Sequence, residues 1–273
     1  MSHPLLPGVL ELVRQAGEAI LPFWRQGVDV IEKADASPVT AADLAAHGIL
    51  ADGLLALDPS IPVLSEEDAD IALSERAGWS RWWLVDPLDG TKEFIADSEE
   101  FTVNVALIEH GEVVFGVVGI PATGVIYHGG RECGAWRVEP GKQPQAISMR
   151  ETPASGLTVV ASRRHGSALQ EQLLAALVAR FGDIERVSVG SSLKFCQLAE
   201  GSADFYPRLA PTSQWDTAAA QGVLEGAGGV VLTLQGEPLR YDPRESLLNP
   251  FFLALPADAE WRGLIVEEAR VLG

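Results

Sequence analysis

Cysteine is scarce in this sequence, with only Cys133 and Cys196 among 273 residues. The two lie far apart in the chain, and neither belongs to a CxxC or Cys/His spacing of the kind that binds zinc. We therefore expect two reduced, largely buried thiols in a cytosolic protein, rather than a disulfide or a zinc site.

Long hydrophobic runs are also missing, since no apolar stretch approaches the ~20 residues that a membrane-spanning helix needs. The N-terminus, MSHPLLPGVLELVRQAGEAI, lacks the basic start and continuous apolar core of a signal peptide. Its apolar residues fit one face of a helix instead, at Val9, Leu12, Val13, Ala16 and Ile20. The sequence thus predicts a cytoplasmic protein with no transmembrane segment, and it leaves peripheral association with a membrane open.

Basic residues are few, because Lys+Arg total 20 against 38 Asp+Glu, which gives a net charge of −18. A field of this sign repels DNA and RNA, so we expect no nucleic acid polymer as a partner. A small phosphorylated metabolite remains compatible with this charge if cations neutralise it locally.

The first 150 residues predict an α+β half with two helices and an antiparallel sheet. The second helix lies in SPVTAADLAAHGILADGLLAL, where apolar residues keep a roughly helical rhythm at Leu44, Ile49, Leu54 and Leu57. Strand patterns follow from Trp82 onward, in RWWLV, in FTVNVALIEHGEVVFGVVGI with a hairpin turn at His110-Gly111, in VIYHGG, and on both sides of Pro140-Gly141.

From residue 151 to residue 273, strand and helix patterns alternate, beginning with LTVVAS and SALQEQLLAALVARF and ending with the helix in ADAEWRGLIVEEARVL. Such alternation predicts a smaller α/β half in which helices cover a sheet. The predicted halves are therefore residues 1–150 and 151–273.

Two carboxylates follow a buried strand in the stretch WWLVDPLDGTKEF, residues 82–94. Asp-Pro and Asp-Gly are favoured turn pairs, and a plain turn is one interpretation of Asp86 and Asp89. A carboxylate at the end of a buried strand, however, costs desolvation energy unless a charge compensates it. A hard divalent cation bound by oxygen atoms would do so, with Pro87 aiming both side chains and the carbonyl of Leu88 at one point.

Three other segments hold acids that are candidates for the same site. Glu66 and Glu67 follow the short apolar run in VLSEED, where the alternative is a solvated acidic loop. Asp216 in QWDTAAAQ is placed as a helix N-cap, a role that is compatible with facing a cation. Thr40 and Asp43 in PVTAAD form a plausible capping pair.

SEE, DPLDGT and WDTAA, in this order and at these separations, closely resemble the metal-binding motifs of the inositol monophosphatase superfamily of magnesium-dependent, lithium-sensitive phosphatases. The ordered set is much more specific than any one of the motifs. The resemblance extends through the whole chain and implies a layered αβαβα sugar-phosphatase fold.

Further motifs narrow the resemblance to the bacterial 3'(2'),5'-bisphosphate nucleotidase branch, namely KADASPVTAAD, DPLDGTKEF followed by FTVN, GSSLKFC, YPR and PRESLLNP. Enzymes of that branch remove the 3'-phosphate from adenosine 3',5'-bisphosphate in sulfate assimilation. Lys92-Glu93 after DPLDGT is typical of this branch rather than of inositol monophosphatases proper. Ala220 departs from the Gly that relatives often carry, and we expect no loss of chemistry from it.

The resemblance implies two or three Mg²⁺ ions per site. One ion would be held by Glu66, Asp86 and the carbonyl of Leu88, and a second by Asp86, Asp89 and Asp216. Two such ions flank an in-line displacement, one activating the attacking water and the other stabilising the leaving oxygen.

The resemblance also implies the catalytic residues. Thr91 would orient the attacking water, with Asp43 hydrogen-bonded to its hydroxyl group, and Glu66 would help to hold that water. A covalent phosphoenzyme is not expected, because the acids are occupied by metal.

The expected substrate contacts come from four segments of the chain. Backbone N–H groups of Gly90 and Thr91 open a short helical turn that suits a phosphate oxygen. The remaining candidates are Ser191, Lys194, Arg208 and Asp216. For GSSLKF the alternative is a helix capped by Ser191 or Ser192 with a solvated lysine, and for Arg208 it is a surface salt bridge.

Two other functions compete with the nucleotidase. One is activity on inositol monophosphate or fructose 1,6-bisphosphate, against the first of which KEF after DPLDGT argues. The other is a metabolite sensor that keeps the pocket without catalysis, which the complete set of acids disfavours. The basic cluster Arg163, Arg164 and His165 is interpreted as surface rather than as an entrance to the site.

Overall fold

The computed structural model of the protein describes residues 3–26, 30–32, 38–153, 155–161 and 168–272. Its helices are α1 (Leu6–Ile20), α2 (Ala41–Leu57), α3 (Leu73–Arg76), α4 (Thr91–Ile95), α5 (Ala168–Phe181), α6 (Leu193–Ala199), α7 (Ala218–Gly226) and α8 (Arg262–Leu272). Its first nine strands are β1 (Val30–Glu32), β2 (Pro38–Thr40), β3 (Val63–Ser65), β4 (Arg81–Asp89), β5 (Thr102–Glu109), β6 (Glu112–Ile120), β7 (Val125–Gly130), β8 (Gly134–Val138) and β9 (Gln145–Ile147). The remaining strands are β10 (Thr158–Ala161), β11 (Glu185–Ser188), β12 (Tyr206–Arg208), β13 (Gly229–Thr233) and β14 (Phe252–Pro256).

Strands β3 to β9 form one sheet in sequence order. Only the pair β3 and β4 is parallel, and all the other pairs are antiparallel. The turn between β5 and β6 is made by His110 and Gly111, at φ values of 50° and 76°, which is the backbone form that matches the twist of a two-residue hairpin. The predicted antiparallel meander and its hairpin turn are confirmed.

Helices cover both faces of this sheet. On one face lie α1 and α2, whose core with the sheet includes Val13, Leu50, Trp83, Val105 and Val117. On the other face lie α6 and α7, whose core includes Leu84, Ala106, Phe195, Val223 and Leu224. Along β5 the buried residues alternate between these two cores, as a strand buried on both faces requires.

The C-terminal strands form a second layer of sheet beyond α6 and α7. β10 and β11 are parallel, β12, β14 and β13 are antiparallel neighbours, and the N–H of Val160 donates to the carbonyl of Phe205 at 2.8 Å, which joins the two groups. Helices α5 and α8 pack on the outer face, around Leu173 and Ile265. The order helix, sheet, helix, sheet, helix confirms the predicted αβαβα layering.

This second sheet is less parallel than the alternating pattern suggests. β13 and β14 are consecutive strands, and the described segment between them contains no helix. Without a crossover helix, the chain returns antiparallel to the strand it has just left.

The buried face of α2 agrees only in part with the apolar positions Leu44, Ile49, Leu54 and Leu57. The structure buries Ala42, Ala46, Leu50 and Leu54, whereas Leu44 is 54% exposed and Leu57 36% exposed. The buried residues recur every fourth position, and alanine at two of them lets α2 pack closely on the sheet. Of the predicted positions, Leu54 is buried and Ile49 packs against the core, so the spacing of the large apolar residues identified only part of the buried face.

Three further observations bear on the sequence predictions. A small hairpin of β1 and β2 precedes α2, although no strand was predicted there. Both cysteines are unpaired, Cys196 buried and Cys133 half-buried. Among the helices of the described ranges, none has the combination of length and apolar character that crossing a bilayer requires.

Candidate active site

The end of β4 carries the DPLD stretch in a β-bulge. Asp86 pairs with Asn104 of β5 and Asp89 pairs with Thr102, so that β4 has one more residue than β5 between the two pairs. Pro87 fits such a bulge because it has no N–H to give to the ladder. The N–H of Leu88 donates to Asp86 Oδ1 at 3.0 Å, which fixes the buried carboxylate inside the turn.

A third carboxylate reaches the same point from the C-terminal part of the chain. The nearest carboxylate oxygens of Asp86, Asp89 and Asp216 all lie within 4.8 Å of one another. Asp216 lies in the turn before α7, where its Oδ2 accepts the N–H of Ser213 at 2.8 Å. The N-cap of α7 is Thr217, so the predicted N-cap role of Asp216 is wrong.

The electrostatics of this cluster are unfavourable without a cation. Burial, followed by the charges of Glu66, Asp89 and Asp216, raises the pKa of Asp86 well above its usual range. Burial, with the charge of Asp89 as the next cause, raises the pKa of Asp216 to about 8. Since each carboxylate makes ionisation of the others harder, a divalent cation is the natural compensation, and an all-oxygen donor set suits a hard ion.

Asp89 differs from its two neighbours because a cation of the protein lies near it. Burial raises the pKa of Asp89, while the charge of Lys194 and the hydrogen bond from the N–H of Ser192 oppose that rise. This carboxylate therefore interacts both with the acidic cluster and with the lysine.

Glu66 lies beside the three-carboxylate cluster rather than within it. Among the described residues, the oxygens within 4.8 Å of one another come from the three aspartates alone. The N–H of Glu66 donates to the carbonyl of Val85 at 3.0 Å, which holds its backbone against β4. Its charge contributes to the raised pKa values of Asp86 and Asp216.

Thr91 and Asp43 are brought together although 48 positions separate them. The hydroxyl of Thr91 lies 3.2 Å from Asp43 Oδ1 and 3.2 Å from the carbonyl of Leu88. Asp43 also accepts the N–H of Thr40 at 2.8 Å and its hydroxyl at 2.6 Å, so the predicted capping pair is confirmed. Burial raises the pKa of Asp43, and these bonds from Thr40 oppose it.

A cleft opens next to the cluster. Its walls include Asp89, Gly90, Ser191, Lys194, Arg208 and Asp216. All the predicted substrate contacts except Thr91 therefore line one cleft. Gly90 has a φ of 89°, a left-handed conformation that favours glycine, and α4 begins directly after it.

Lys194 is buried, and the interpretation as a solvated lysine is wrong. Its side chain is held by a hydrogen bond of 2.7 Å from Nζ to the carbonyl of Ser191, and Nζ lies 5.7 Å from the centre of the Tyr206 ring. Burial lowers the pKa of Lys194 to about 8, and the charge of Asp89 opposes that change.

Ser191 and Ser192 do not cap α6 with their side chains. Ser192 is the N-cap residue, but it makes no side-chain capping bond. The two hydroxyl groups lie instead 2.9 Å and 2.8 Å from the hydroxyl of Thr102 on β5. The hydroxyl groups thus bond to a tertiary partner on β5 instead of to the N–H groups of the helix.

Arg208 is held on the cleft wall by backbone carbonyls. Nε donates to Ala210 at 3.1 Å and Nη2 donates to Pro211 at 2.8 Å. No carboxylate in the described part of the chain forms an ion pair with it, so the surface salt bridge is wrong. The cluster Arg163, Arg164 and His165 lies outside the described residues.

Sequence reasoning missed Thr102 and Asn104 as residues of this site. Both are buried and both bond to the loop that carries Ser191 and Ser192. The available signal was a pair of polar residues two positions apart in FTVN, inside an otherwise apolar strand.

Comparison with known proteins agrees with the geometry. A sequence model of the Inositol monophosphatase family matches residues 1–270. The 3'(2'),5'-bisphosphate nucleotidase CysQ of Escherichia coli K12 is 50% identical over 250 residues, which cover 91% of this chain and 98% of that protein. The protein of the same name from Haemophilus influenzae is 33% identical, with 97% of each chain covered.

Solved structures support the same assignment. The crystal structure of CysQ from Bacteroides thetaiotaomicron, described as a bacterial member of the inositol monophosphatase family, has a TM-score of 0.81 and 35% identity over 94% of this chain and 99% of that one. An IMPase of Thermotoga maritima has a TM-score of 0.78 at 21% identity over 99% of this chain and 98% of that one, which is a likeness of fold. From the sequence match over nearly its whole length and from these structural matches, the chain belongs to the inositol monophosphatase family.

Proposed function

We propose that the protein is a metal-dependent 3'(2'),5'-bisphosphate nucleotidase that hydrolyses adenosine 3',5'-bisphosphate to AMP and phosphate. The observation that carries this proposal is the meeting of Asp86, Asp89 and Asp216 beside a cleft lined by Lys194 and Arg208. Such an arrangement offers a cation site for one phosphate and fixed positive groups for another. The relatives at up to 50% identity that are named 3'(2'),5'-bisphosphate nucleotidase support the choice of substrate.

The metal is proposed to be Mg²⁺, with two or three ions per site. Asp86, Asp89 and Asp216 would share them, and Glu66 and the carbonyl of Leu88 would complete the ligands. When bound, Mg²⁺ neutralises the phosphate oxygens and lowers the pKa of a water molecule. The unfavourable charge of the cluster alone supports this donor set.

Thr91 and Asp43 are proposed to position the attacking water. The Thr91 hydroxyl has a single hydrogen, which Asp43 Oδ1 accepts at 3.2 Å. The oxygen of Thr91 then keeps lone pairs that accept a hydrogen from water. Asp43, whose pKa is raised by burial, is suited to holding a proton along this path.

Lys194 and Arg208 are proposed to bind the phosphate that is not cleaved. Both line the cleft, and Arg208 has a planar fork of N–H groups suited to two phosphate oxygens. Burial of Lys194 removes competing water from its ammonium group. The backbone N–H groups of Gly90 and Thr91 are the proposed contacts of the phosphate that is cleaved.

Most metal ligands are proposed to lie in residues 1–150, and Asp216 and the nucleotide contacts in residues 151–273. The enzyme is proposed to act in the cytoplasm, in sulfate assimilation, with a small phosphorylated nucleotide as its partner. The sulfated relative, 3'-phosphoadenylyl sulfate, carries the same 3'-phosphate and is a second proposed substrate.

A phosphate-release assay tests this function. Adenosine 3',5'-bisphosphate, inositol 1-phosphate and fructose 1,6-bisphosphate are compared with Mg²⁺, without metal, and with Mg²⁺ plus Li⁺. We expect phosphate to be released fastest from the nucleotide. This release should require the metal and should be inhibited by Li⁺. Faster phosphate release from inositol 1-phosphate or fructose 1,6-bisphosphate would contradict the proposed substrate. Binding of the nucleotide without turnover would indicate a sensor.

A further inference from the structure

Two polar residues at the start of β5 bond to the loop before α6. Thr102 and Asn104 are buried and, being two positions apart on a strand, face the same side of the sheet. The hydroxyl oxygen of Thr102 lies 2.9 Å from that of Ser191 and 2.8 Å from that of Ser192. The hydroxyl of Ser192 donates to Asn104 Oδ1 at 2.8 Å, and Asn104 Nδ2 donates to Thr102 at 3.0 Å. We call Thr102 and Asn104 the β5 platform.

The number of hydrogens available gives the bonds among Thr102, Ser192 and Asn104 a direction. The single hydrogen of Ser192 is given to Asn104, so the bond between Thr102 and Ser192 must use the hydrogen of Thr102. Thr102 then accepts from Asn104 Nδ2, and its oxygen lies 2.9 Å from the hydroxyl oxygen of Ser191, which also bonds to the carboxylate of Asp89. Thr102 thus gives its single hydrogen to Ser192 and accepts one from Asn104, so a side chain of the same shape without a hydroxyl leaves buried polar groups unpaired.

The loop held by the platform has a strained backbone. Ser191 has a φ of 53°, in the left-handed region that residues other than glycine rarely adopt. Such a conformation persists where surrounding contacts determine it. A further bond holds the start of this loop, since the N–H of Gly190 donates to Glu100 Oε2 at 2.8 Å.

The same loop touches both functional sides of the cleft. The N–H of Ser192 donates to Asp89 Oδ2 at 2.5 Å, and the carbonyl of Ser191 accepts Lys194 Nζ at 2.7 Å. The single peptide group between Ser191 and Ser192 thus orients a proposed metal ligand with its N–H and a proposed substrate cation with its carbonyl. On the other side, Thr102 and Asn104 are the cross-strand neighbours of Asp89 and Asp86.

We propose that the β5 platform is a positioning device that holds the Ser191–Ser192 backbone in one conformation and thereby aligns Asp89 with Lys194. The substrate part of this inference rests on the proposed function, whereas the part on Asp89 concerns metal binding alone. Thr102 and Asn104 touch neither substrate nor metal in this scheme and act through the loop.

The test variant is Thr102→Val, which keeps the shape of the side chain and removes its hydroxyl group. We expect the dissociation constant for Mg²⁺ alone, measured by calorimetry, and KM for adenosine 3',5'-bisphosphate each to rise by about tenfold, the size expected when a buried hydroxyl group is removed and its partners are left unpaired. With both Mg²⁺ and nucleotide saturating, kcat should stay within about threefold of the original value, because the reacting groups are intact. Thr102→Ser, which retains the hydroxyl, should restore both constants.

The matched control is Val105→Ala, on the same strand but facing α1 and α2. It should lower Tm while leaving both constants unchanged. Ser192→Ala removes the other end of the same bond and should act like Thr102→Val, so the inference remains testable if Thr102→Val does not fold.

The proposal would be overturned if the Mg²⁺ dissociation constant and KM both stayed within twofold of the original values in Thr102→Val and in Ser192→Ala. If the original protein releases no phosphate from the nucleotide, the proposed function fails, whereas the Mg²⁺ titration still decides on the platform.

Discussion

Changing Asp86 to asparagine removes the charge at the centre of the cluster and leaves the shape of the side chain nearly unchanged. The N–H of Leu88, which donates to Asp86 Oδ1 at 3.0 Å, keeps an acceptor in the amide oxygen of the variant. The bulge of β4 should therefore persist. Asp86→Asn then separates two effects, the loss of a proposed shared metal ligand and the loss of repulsion inside the metal-free site.

The expected size of the repulsive effect follows from the geometry. Oxygens within 4.8 Å of one another repel by about 3–4 kcal/mol per ionised pair at an effective dielectric constant of ~20. Protons bound by the cluster reduce this cost, because the pKa of Asp216 is raised to about 8. We therefore expect Asp86→Asn to raise the free energy of unfolding of the metal-free protein by about 1–3 kcal/mol at pH 8.

Activity should change in the opposite direction. Loss of a proposed ligand shared by two ions should lower kcat by at least about a hundredfold, the scale seen when an electrostatic group is removed from an active site. Urea unfolding with and without Mg²⁺, together with phosphate release, measures both effects, and Asp52→Asn on the exposed side of α2 is the control. A variant that is less stable without metal and keeps near-normal turnover at saturating Mg²⁺ would refute the reasoning.

Three further predictions follow from the site and the core. Thr91→Ala should lower kcat by about 10²-fold, which is the lower range for groups that assist proton transfer. The Mg²⁺ dissociation constant, measured by calorimetry, should stay nearly unchanged. A parallel loss of metal binding would contradict the proposed role of Thr91 in positioning the water. Because the pKa of Asp216 is raised to about 8 in the metal-free protein, binding of Mg²⁺ at pH 7 should release protons, and Mg²⁺ should bind more tightly as the pH rises to 9. Calorimetric titrations in buffers of different ionisation enthalpy detect the released protons. A heat of binding that does not depend on the buffer would contradict this prediction. Burial lowers the pKa of His128 to about 4 from 6.5, so its neutral form stabilises the fold above pH 6.5 and that stability is lost as the pH falls towards 4. The difference between the original protein and His128→Gln should shrink by about 2–3 kcal/mol across this range in chemical denaturation, and a pH-independent difference would contradict the assignment.

Local chemistry made much of the fold predictable. The hairpin at His110-Gly111, the strands around Pro140-Gly141 and the helical face of α1 follow from turn residues and from the period of the apolar residues. The DPLD bulge was also predictable in outline, since proline and two carboxylates at the end of an apolar strand are costly without a purpose. The order of the acidic motifs led to the family that the comparisons confirm.

The remaining features depend on tertiary partners that a sequence does not display. Asp216 was placed at an N-cap and Ser191 or Ser192 at another, but the bonds formed in the fold go to Ser213 and to the β5 platform. The sequence pattern around Lys194 indicates a surface residue of an amphipathic helix. In the fold this side chain is buried next to Tyr206 of the second sheet. In each case, local propensity is outweighed by a contact between residues distant in the chain.

Diffraction from crystals soaked in Mn²⁺ as a substitute for Mg²⁺ tests the central claim most directly, because manganese gives an anomalous signal and favours the same oxygen ligands. The account predicts anomalous peaks between the carboxylates of Asp86, Asp89 and Asp216, with at least one peak in contact with Asp86. A protein that is active with Mn²⁺ but has no peak at this cluster, or has its peaks elsewhere, would contradict it.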